Sequence, residues 1–176
     1  MATIDLIVLG MVKQQPLSAY DIQKLVEYRN ISKWVKISTP SIYKKVIQLE
    51  QKGYLKGNIE KQGKMPEKVV YSLTNEGESE FEKLMIEISS KPIYIFLDFN
   101  AVIVNLNSLS IENQKLCISH IENNIKSFKK NLEDNLIIKR NMDNVPEAGL
   151  AVLKQQFILV EAIEKWINTI KEDFIK

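Results

Sequence analysis

The sequence has little of the chemistry on which most catalytic and metal sites depend. It holds one cysteine, Cys117, and one histidine, His120, among 176 residues. A single cysteine excludes an intramolecular disulfide, and the scarcity of both side chains excludes the common metal sites built from several His or Cys ligands. No Gly-rich phosphate loop is present either. We therefore expect no enzyme activity and no cofactor.

Long apolar runs and a secretory leader are also missing. The longest apolar stretch, residues 93–104, is interrupted by Asp98 and Asn100 and is too short to cross a bilayer. The first residues lack the basic segment of a signal peptide. We therefore expect a cytoplasmic location and no membrane partner.

Positive charge is present, but it is concentrated in one part of the chain. The net charge is only +2, yet residues 24–68 carry 11 Lys and Arg against 4 Asp and Glu, a net charge of +7. The remaining residues carry 13 against 18, a net charge of −5. A local basic surface attracts polyanions such as nucleic acid. A solvated lysine-rich face would give the same pattern.

Local signals predict where the first helices begin and end. An apolar stripe before Pro16 predicts a first helix. Ser18 and Asp21 have the spacing of a capping box, which predicts the start of a second helix. Ser38 or Thr39 followed by proline predicts the start of a third helix, because proline suits the first helical turn. The first stripe consists of Ile4, Ile7, Val8, Met11 and Val12.

The third helix is predicted to have one apolar face and one polar face, and to end at Gly53 in a left-handed cap. The apolar residues are Ile42, Tyr43, Val46, Ile47 and Leu49. The polar residues Ser41, Lys44, Lys45 and Gln48 recur at helical spacing.

Two strands, residues 54–59 and 68–73, are predicted to follow as a hairpin with a basic tip, and Thr74 is predicted to cap a fourth helix. A polar helix fits the major groove, and a basic hairpin tip can lie against the neighbouring backbone or minor groove. We count Tyr43 among the candidate DNA-binding residues, although the favoured interpretation is that its ring packs inward. The candidate DNA-binding residues are Thr39, Ser41, Tyr43, Lys44, Lys45, Gln48, Lys61, Gln62, Gly63, Lys64 and Lys68.

Several short motifs in this order resemble the PadR family of bacterial transcriptional regulators over roughly residues 4–85. The motifs are LSAYDI at 17–22, SIY at 41–43, GYL at 53–55 and VYSLT at 70–74, followed by Gly77. The family usually has His-Gly where this chain has Ser18 and Ala19. The resemblance implies a winged-helix repressor that dimerises through C-terminal helices and contacts operator DNA with its third helix and wing.

The second half is predicted to be helical. Pro92 breaks the chain, residues 93–106 are interpreted as a buried helix, Ser110 is predicted to cap a long helix, and Pro146 to begin the last one. Apolar residues at alternating steps of three and four indicate a coiled-coil seam, either with a second chain or within an antiparallel pair of this chain. The candidate dimerisation residues are Ile118, Ile121, Ile125, Phe128, Leu132, Leu153, Phe157, Val160 and Ile167.

A small aromatic effector is a further expectation. The length of the second half is similar to that of the larger C-terminal-domain type of PadR-like protein, for some of which phenolic acids are effectors. A filled hydrophobic joint without ligand is the alternative. The candidate effector-binding residues are Trp34, Tyr94, Phe96, Phe99, Asn100 and Trp166.

These observations predict a mainly α fold, with a winged helix-turn-helix and a two-stranded wing at residues 1–90 and a C-terminal helical domain for dimerisation and a possible effector at 91–176. The predicted function is a sequence-specific DNA-binding transcriptional regulator, a repressor that binds an inverted-repeat operator as a homodimer. The alternative is a winged-helix protein–protein interaction module without DNA binding, which an acidic or apolar face on the third helix would favour.

Overall fold

The computed structural model describes residues 2–61, 67–142 and 145–174, and for residues 173 and 174 it describes the backbone alone. The chain divides into two compact units, one ending at Tyr94 and the other beginning at Ile95. In the described ranges, no helix is long and apolar enough to cross a membrane.

The N-terminal unit combines helices with a small antiparallel sheet. Its elements are α1 (Ala2–Gln14), β1 (Leu17–Ser18), α2 (Ala19–Tyr28), α3 (Ser41–Gln51), β2 (Leu55–Glu60), β3 (Lys68–Leu73) and α4 (Asn75–Ser89). The strand order is β1-β3-β2, with Leu17 opposite Tyr71 and Leu55 opposite Leu73. The predicted two-stranded hairpin is confirmed. Strand β1 was not predicted, because two residues are too short to show an alternating pattern.

The predicted caps of α2 and α4 are confirmed. The Asp21 N–H donates to Ser18 Oγ at 3.2 Å, and the Ser18 N–H donates to the Asp21 carboxylate at 3.2 Å. Thr74 Oγ1 accepts from the Gly77 N–H at 3.0 Å. Gly53, with φ +76°, has the predicted left-handed conformation after α3.

The predicted side-chain cap of α3 is wrong. Pro40 occupies the N-cap position, and no side chain caps this helix. Instead, the Ser38 carbonyl accepts from both the N–H and the hydroxyl of Ser41, at 3.0 and 2.5 Å. A backbone turn thus starts the helix that the sequence assigned to a Ser or Thr cap.

A continuous core holds the N-terminal unit together. Leu9, Ile22, Ile42 and Leu49, from the first three helices, are almost completely buried. Gly77 permits α4 to approach this core, because a Cβ there would collide with the backbone carbonyl oxygen of Tyr54.

The C-terminal unit is a pair of long helices. It contains α5 (Asn100–Val104), α6 (Ile111–Arg140) and α7 (Glu147–Phe174). Ser110 caps α6 as predicted, its Oγ accepting from the Asn113 N–H at 3.4 Å, and α7 starts directly after Pro146. Ion pairs from Lys129 to Glu164 and from Glu122 to Lys171 show that α6 and α7 run antiparallel.

The buried helix predicted for residues 93–106 is present only in part, as the short α5 and the buried Leu106. Between the end of α4 and the start of α5 the chain forms no helix or strand, and there Ile93 and Phe96 are 90% and 85% exposed. A nearly continuous apolar run, broken only by Asp98 and two asparagines, carries too little periodicity to distinguish a helix from an extended segment or to indicate burial.

The predicted coiled-coil seam is used within the chain. The seam residues of α6, apart from Phe128, are buried against Val160 and Ile167 of α7, and Leu153 and Phe157 pack half-buried beside them. Phe128 is 50% exposed. The intramolecular antiparallel pair, one of the two sequence-based interpretations, is therefore present.

Candidate nucleic-acid interface

The outward face of α3 is not the face that the sequence predicted. Ile42, Val46 and Leu49 are buried, whereas Tyr43 and Ile47 are 44% and 48% exposed. The predicted inward packing of Tyr43 and Ile47 is wrong. Since each residue advances an α-helix by about 100°, the exposed face is rotated by about a quarter turn from the predicted one. The reason is that α1, α2 and β2 all pack against α3 and bury only its narrower stripe.

The rotation separates two adjacent lysines. The side chain of Lys44 is exposed. Lys45 points towards α1, where its Nζ lies 2.8 Å from Asp5 Oδ1, with the two side chains 11% and 14% exposed. This separation is typical of a charge-assisted contact between an ammonium and a carboxylate. Because its ammonium is covered and paired, we withdraw Lys45 from the candidate DNA contacts.

The remaining helix candidates lie beside the exposed face. Thr39, Ser41 and Gln48 are each half-buried. The Ser41 hydroxyl is engaged as a donor to Ser38 but keeps its acceptor capacity. These side chains could contact DNA only from the edge of α3.

The wing contributes exposed cations. Lys61 Nζ lies 3.7 Å from Glu67 Oε1, and Lys68 Nζ lies 3.5 Å from Asp21 Oδ2. Lys56 on β2 is also exposed, and the sequence did not predict it as a DNA contact because a single lysine within a short strand carries no signal of which face it lies on. The predicted contacts Gln62, Gly63 and Lys64 lie outside the described residues.

Asp21 links the wing to α2. Hydrogen bonds from Ser18, with a smaller contribution from Lys68, hold the pKa of the Asp21 carboxyl below its usual value. The carboxylate therefore serves both the helix cap and the wing lysine in its ionised form.

Glu50 links the wing to α3. Its Oε1 accepts from the Gly57 N–H at 3.0 Å. A Cβ at Gly57 would lie 2.5 Å from the same oxygen and 2.8 Å from Val69 Cγ1, so only glycine permits this approach. The sequence offered no signal for this contact, which joins residues seven apart through tertiary packing.

The structure brings only part of the candidate effector-binding set together. Phe99 and Trp166 stack with ring centroids 5.6 Å apart. Together with Asn100 they line an open hollow of about 390 Å³ in the C-terminal unit. Phe96 is not part of this lining, and Trp34 and Tyr94 belong to the N-terminal unit. The structure thus brings together three of the six effector candidates.

Most dimerisation candidates are not available to a partner. All of them except Phe128, Leu153 and Phe157 are buried in the core of their own chain. Other apolar side chains face outward, including Ile137 and Ile158, which are 60% and 64% exposed. Within the described ranges, no group of His, Cys, Asp and Glu is arranged to hold a metal ion.

A helix with an exposed lysine, followed by a hairpin with further lysines and packed on two other helices, is the winged-helix arrangement. Residues 8–83 match the model of the transcriptional regulator PadR-like family. This part of the chain is therefore similar to a family of transcriptional regulators. This confirms the resemblance seen in the motifs. No curated protein matches the chain closely enough to count as a relative.

Solved structures share the fold over nearly the whole length. PadR of Bacillus subtilis in complex with operator DNA has a TM-score of 0.82 at 21% identity, covering 98% of this chain and 99% of that one. The same protein in complex with p-coumaric acid has a TM-score of 0.79 at 17% identity, covering 98% and 96%. The PadR-like regulator BC1756 of Bacillus cereus has a TM-score of 0.72 at 21% identity, covering 97% of both chains.

Proposed function

We propose that this protein is a repressor that binds an inverted-repeat operator as a homodimer and is released by a small aromatic effector. The observation that carries the proposal is the outward face of α3, where Lys44 is exposed in a unit whose wing also exposes Lys56 and Lys61. An α-helix fits the major groove, and lysines on neighbouring elements can neutralise the flanking phosphates.

Repression requires fewer surface contacts than activation does. A repressor needs only to occupy DNA that the polymerase uses, whereas an activator must also contact the polymerase. The net charge of +7 over residues 24–68 suits occupancy of DNA. A reporter gene whose promoter overlaps the operator tests this step, since expression should fall when the protein is supplied. A rise in expression would contradict repression.

An apolar depression in the C-terminal unit supports the homodimer. It has a volume of about 420 Å³ and is lined from α6 and α7 by the apolar side chains of Leu136, Ile137, Phe157 and Ile158. Charged residues of both signs surround it, namely Glu133, Asp134, Arg140 and Lys154. A two-fold axis brings the same patch of two chains together, so acidic residues of one can meet basic residues of the other.

The hollow beside Trp166 supports an aromatic effector. Its lining includes no charged side chain, and its polar side-chain groups are the Asn100 amide and the Trp166 indole N–H. A flat apolar molecule could stack on Phe99 or Trp166. The complex of Bacillus subtilis PadR with p-coumaric acid favours an aromatic ligand. Because the lining offers no cation, we propose that an uncharged aromatic compound binds better than a carboxylate.

Fluorescence tests the effector proposal. In a Trp34→Phe variant, Trp166 is the sole tryptophan, so its emission reports on the hollow. We expect the methyl ester of p-coumaric acid to change this emission at lower concentration than the free acid, and to release the operator in parallel. If neither compound changes emission or operator binding, the effector proposal fails.

Selection from a random duplex library tests the DNA-binding proposal. The full-length protein should enrich an inverted repeat and bind it with two chains per duplex, with half-sites separated by about one helical turn or a multiple. Failure to enrich any sequence would favour the protein–protein interaction module, which the apolar side chains of Tyr43 and Ile47 on α3 would also suit.

A further inference from the structure

Two large apolar side chains occupy the exposed face of α3. Tyr43 and Ile47 are four residues apart, so they lie one above the other on the same side of the helix. They are 44% and 48% exposed, although Ile42, Val46 and Leu49 of the same helix are buried completely or almost so. An apolar pair at the centre of a surface otherwise suited to DNA requires an explanation of its own.

The charge around the pair indicates its partner. Lys44 adjoins Tyr43 on the exposed side, and the pair lies within the segment whose net charge is +7. A protein partner with an apolar surface gains nothing from this charge, whereas nucleic acid is drawn to it. In the major groove, the apolar group that distinguishes one base pair from another is the C5-methyl of thymine.

We propose that Ile47, supported by the ring of Tyr43, recognises a thymine methyl group in each operator half-site. The inference rests on the proposed DNA binding and adds a specificity-determining residue to it. The side chain of Ile47 has no polar atom, so it reads the methyl by contact and by exclusion of water. Gln48, next in the chain and half-buried beside this face, carries the amide that pairs with adenine. Both side chains therefore select for A·T pairs.

Replacing thymine by deoxyuridine tests the inference, because this change removes the methyl and leaves every hydrogen-bonding group of the base in place. The selected operator is prepared with one such replacement at a time, at equivalent positions of both half-sites. For the unmodified protein, we expect one position to weaken binding by about fourfold per half-site, the effect of withdrawing one methyl group from an apolar contact.

The Ile47→Ala variant identifies the side chain responsible. We expect it to bind the thymine and deoxyuridine operators at that position equally well, because the contact is already lost. Met85→Ala is the matched control: Met85 is 50% exposed on α4 of the same unit, and its variant should keep the full deoxyuridine effect. If Ile47→Ala binds weakly, low salt brings both titrations into the measurable range.

The outcomes separate this inference from the proposed function. If the library yields no operator, the DNA-binding proposal itself fails. If an operator is found but Ile47→Ala shows the same loss on deoxyuridine replacement as the unmodified protein, the assignment of Ile47 is overturned. If Ile47→Ala leaves DNA binding entirely unchanged, the apolar pair is better assigned to a protein partner.

Discussion

The two units of this chain bury their apolar residues in different ways. The N-terminal unit encloses a core between its first three helices, with Leu9, Ile22 and Leu49 almost completely buried, although Ile59 and Ile86 on its surface are 73% and 72% exposed. The C-terminal unit has a narrower core between α6 and α7, and it leaves Ile137 and Ile158 facing outward. A closed unit can present a charged surface to DNA, whereas an open two-helix unit is completed by another apolar surface.

An ion pair between helices in each unit also differs in how far it is exposed to solvent. In the N-terminal unit, Asp5 and Lys45 form an ion pair with less than a seventh of either side chain exposed. In the C-terminal unit, Lys129 bridges α6 to Glu164 of α7 at 2.7 Å with both side chains about a quarter exposed. Hydrogen bonding to Glu164 raises the pKa of Lys129, which stays cationic at neutral pH. The Lys45–Asp5 pair is thus more deeply buried than the Lys129–Glu164 pair, although both join neighbouring helices.

Alanine substitutions at one glycine of each unit should show the largest difference in stability between the two units. Gly77→Ala introduces a Cβ against the Tyr54 carbonyl, and we expect a loss of roughly 3 kcal/mol in the free energy of unfolding, at the upper end for overpacking. Gly149→Ala in α7 meets no atom within 4 Å and should change stability by less than about 1 kcal/mol. Urea unfolding followed by Trp34 for one unit and Trp166 for the other measures both. Equal effects would contradict the contrast between the units.

A lysine in the apolar depression should break the second unit's proposed assembly. Ile158→Lys removes an apolar side chain and places a cation in the depression, and we expect dimerisation to weaken on the order of 100-fold because that charge would have to lose its hydration in the interface. Sedimentation should show monomers at micromolar concentration with unchanged helix content. Val104→Lys, at a residue 79% exposed on α5 and outside the depression, is the control and should remain dimeric. A dimeric Ile158→Lys variant would refute this surface.

Within the first unit, substitutions of Lys44 and Lys45 should have opposite effects on stability and on DNA binding. Lys45→Ala leaves Asp5 unpaired, so we expect a loss of about 1–3 kcal/mol in stability and no change in the salt dependence of DNA binding. Lys44→Ala should leave stability unchanged and reduce the slope of log affinity against log salt by about 0.9 per chain. Gel-shift titrations over a salt series, with urea unfolding, distinguish the two. The reverse assignment would return Lys45 to the DNA contacts.

Equivalent helix caps should show the smallest difference. Ser18→Ala and Ser110→Ala each remove a cap and should cost about 1 kcal/mol. The effect at Ser18 should depend on pH, because Ser18 lowers the pKa of Asp21. Stability from that lowered pKa is present above the unfolded value of 3.8 and is lost as pH falls through the folded value.

At α6 the third helical residue is Asn113, which does not titrate, so the cost of Ser110→Ala should be the same at neutral and acid pH. Urea unfolding between neutral pH and about pH 3 measures both variants, since that range crosses the reference pKa of aspartate. The same pH response at the two caps would show that Asp21 does not couple to Ser18.

Much of the local structure was predictable because its causes are local. The capping residues Ser18, Thr74 and Ser110, the left-handed Gly53 and the helix start after Pro146 each depend on neighbours within a few residues. The helix face of α3 was not predictable to the same degree. Its apolar residues allow two different faces to turn inward, and the choice depends on α1, α2 and β2.

The sequence by itself therefore determined three helix caps, the hairpin, the resemblance of the N-terminal unit to the PadR-like family and the concentration of positive charge in residues 24–68. Only the tertiary structure decided which side of α3 faces outward, that Lys45 pairs with Asp5, and that the coiled-coil seam closes within the chain. The physical reason is that caps, turns and periodicity act over a few residues. Burial and ion pairing depend instead on which distant elements supply the opposing surface, and no local pattern records that choice.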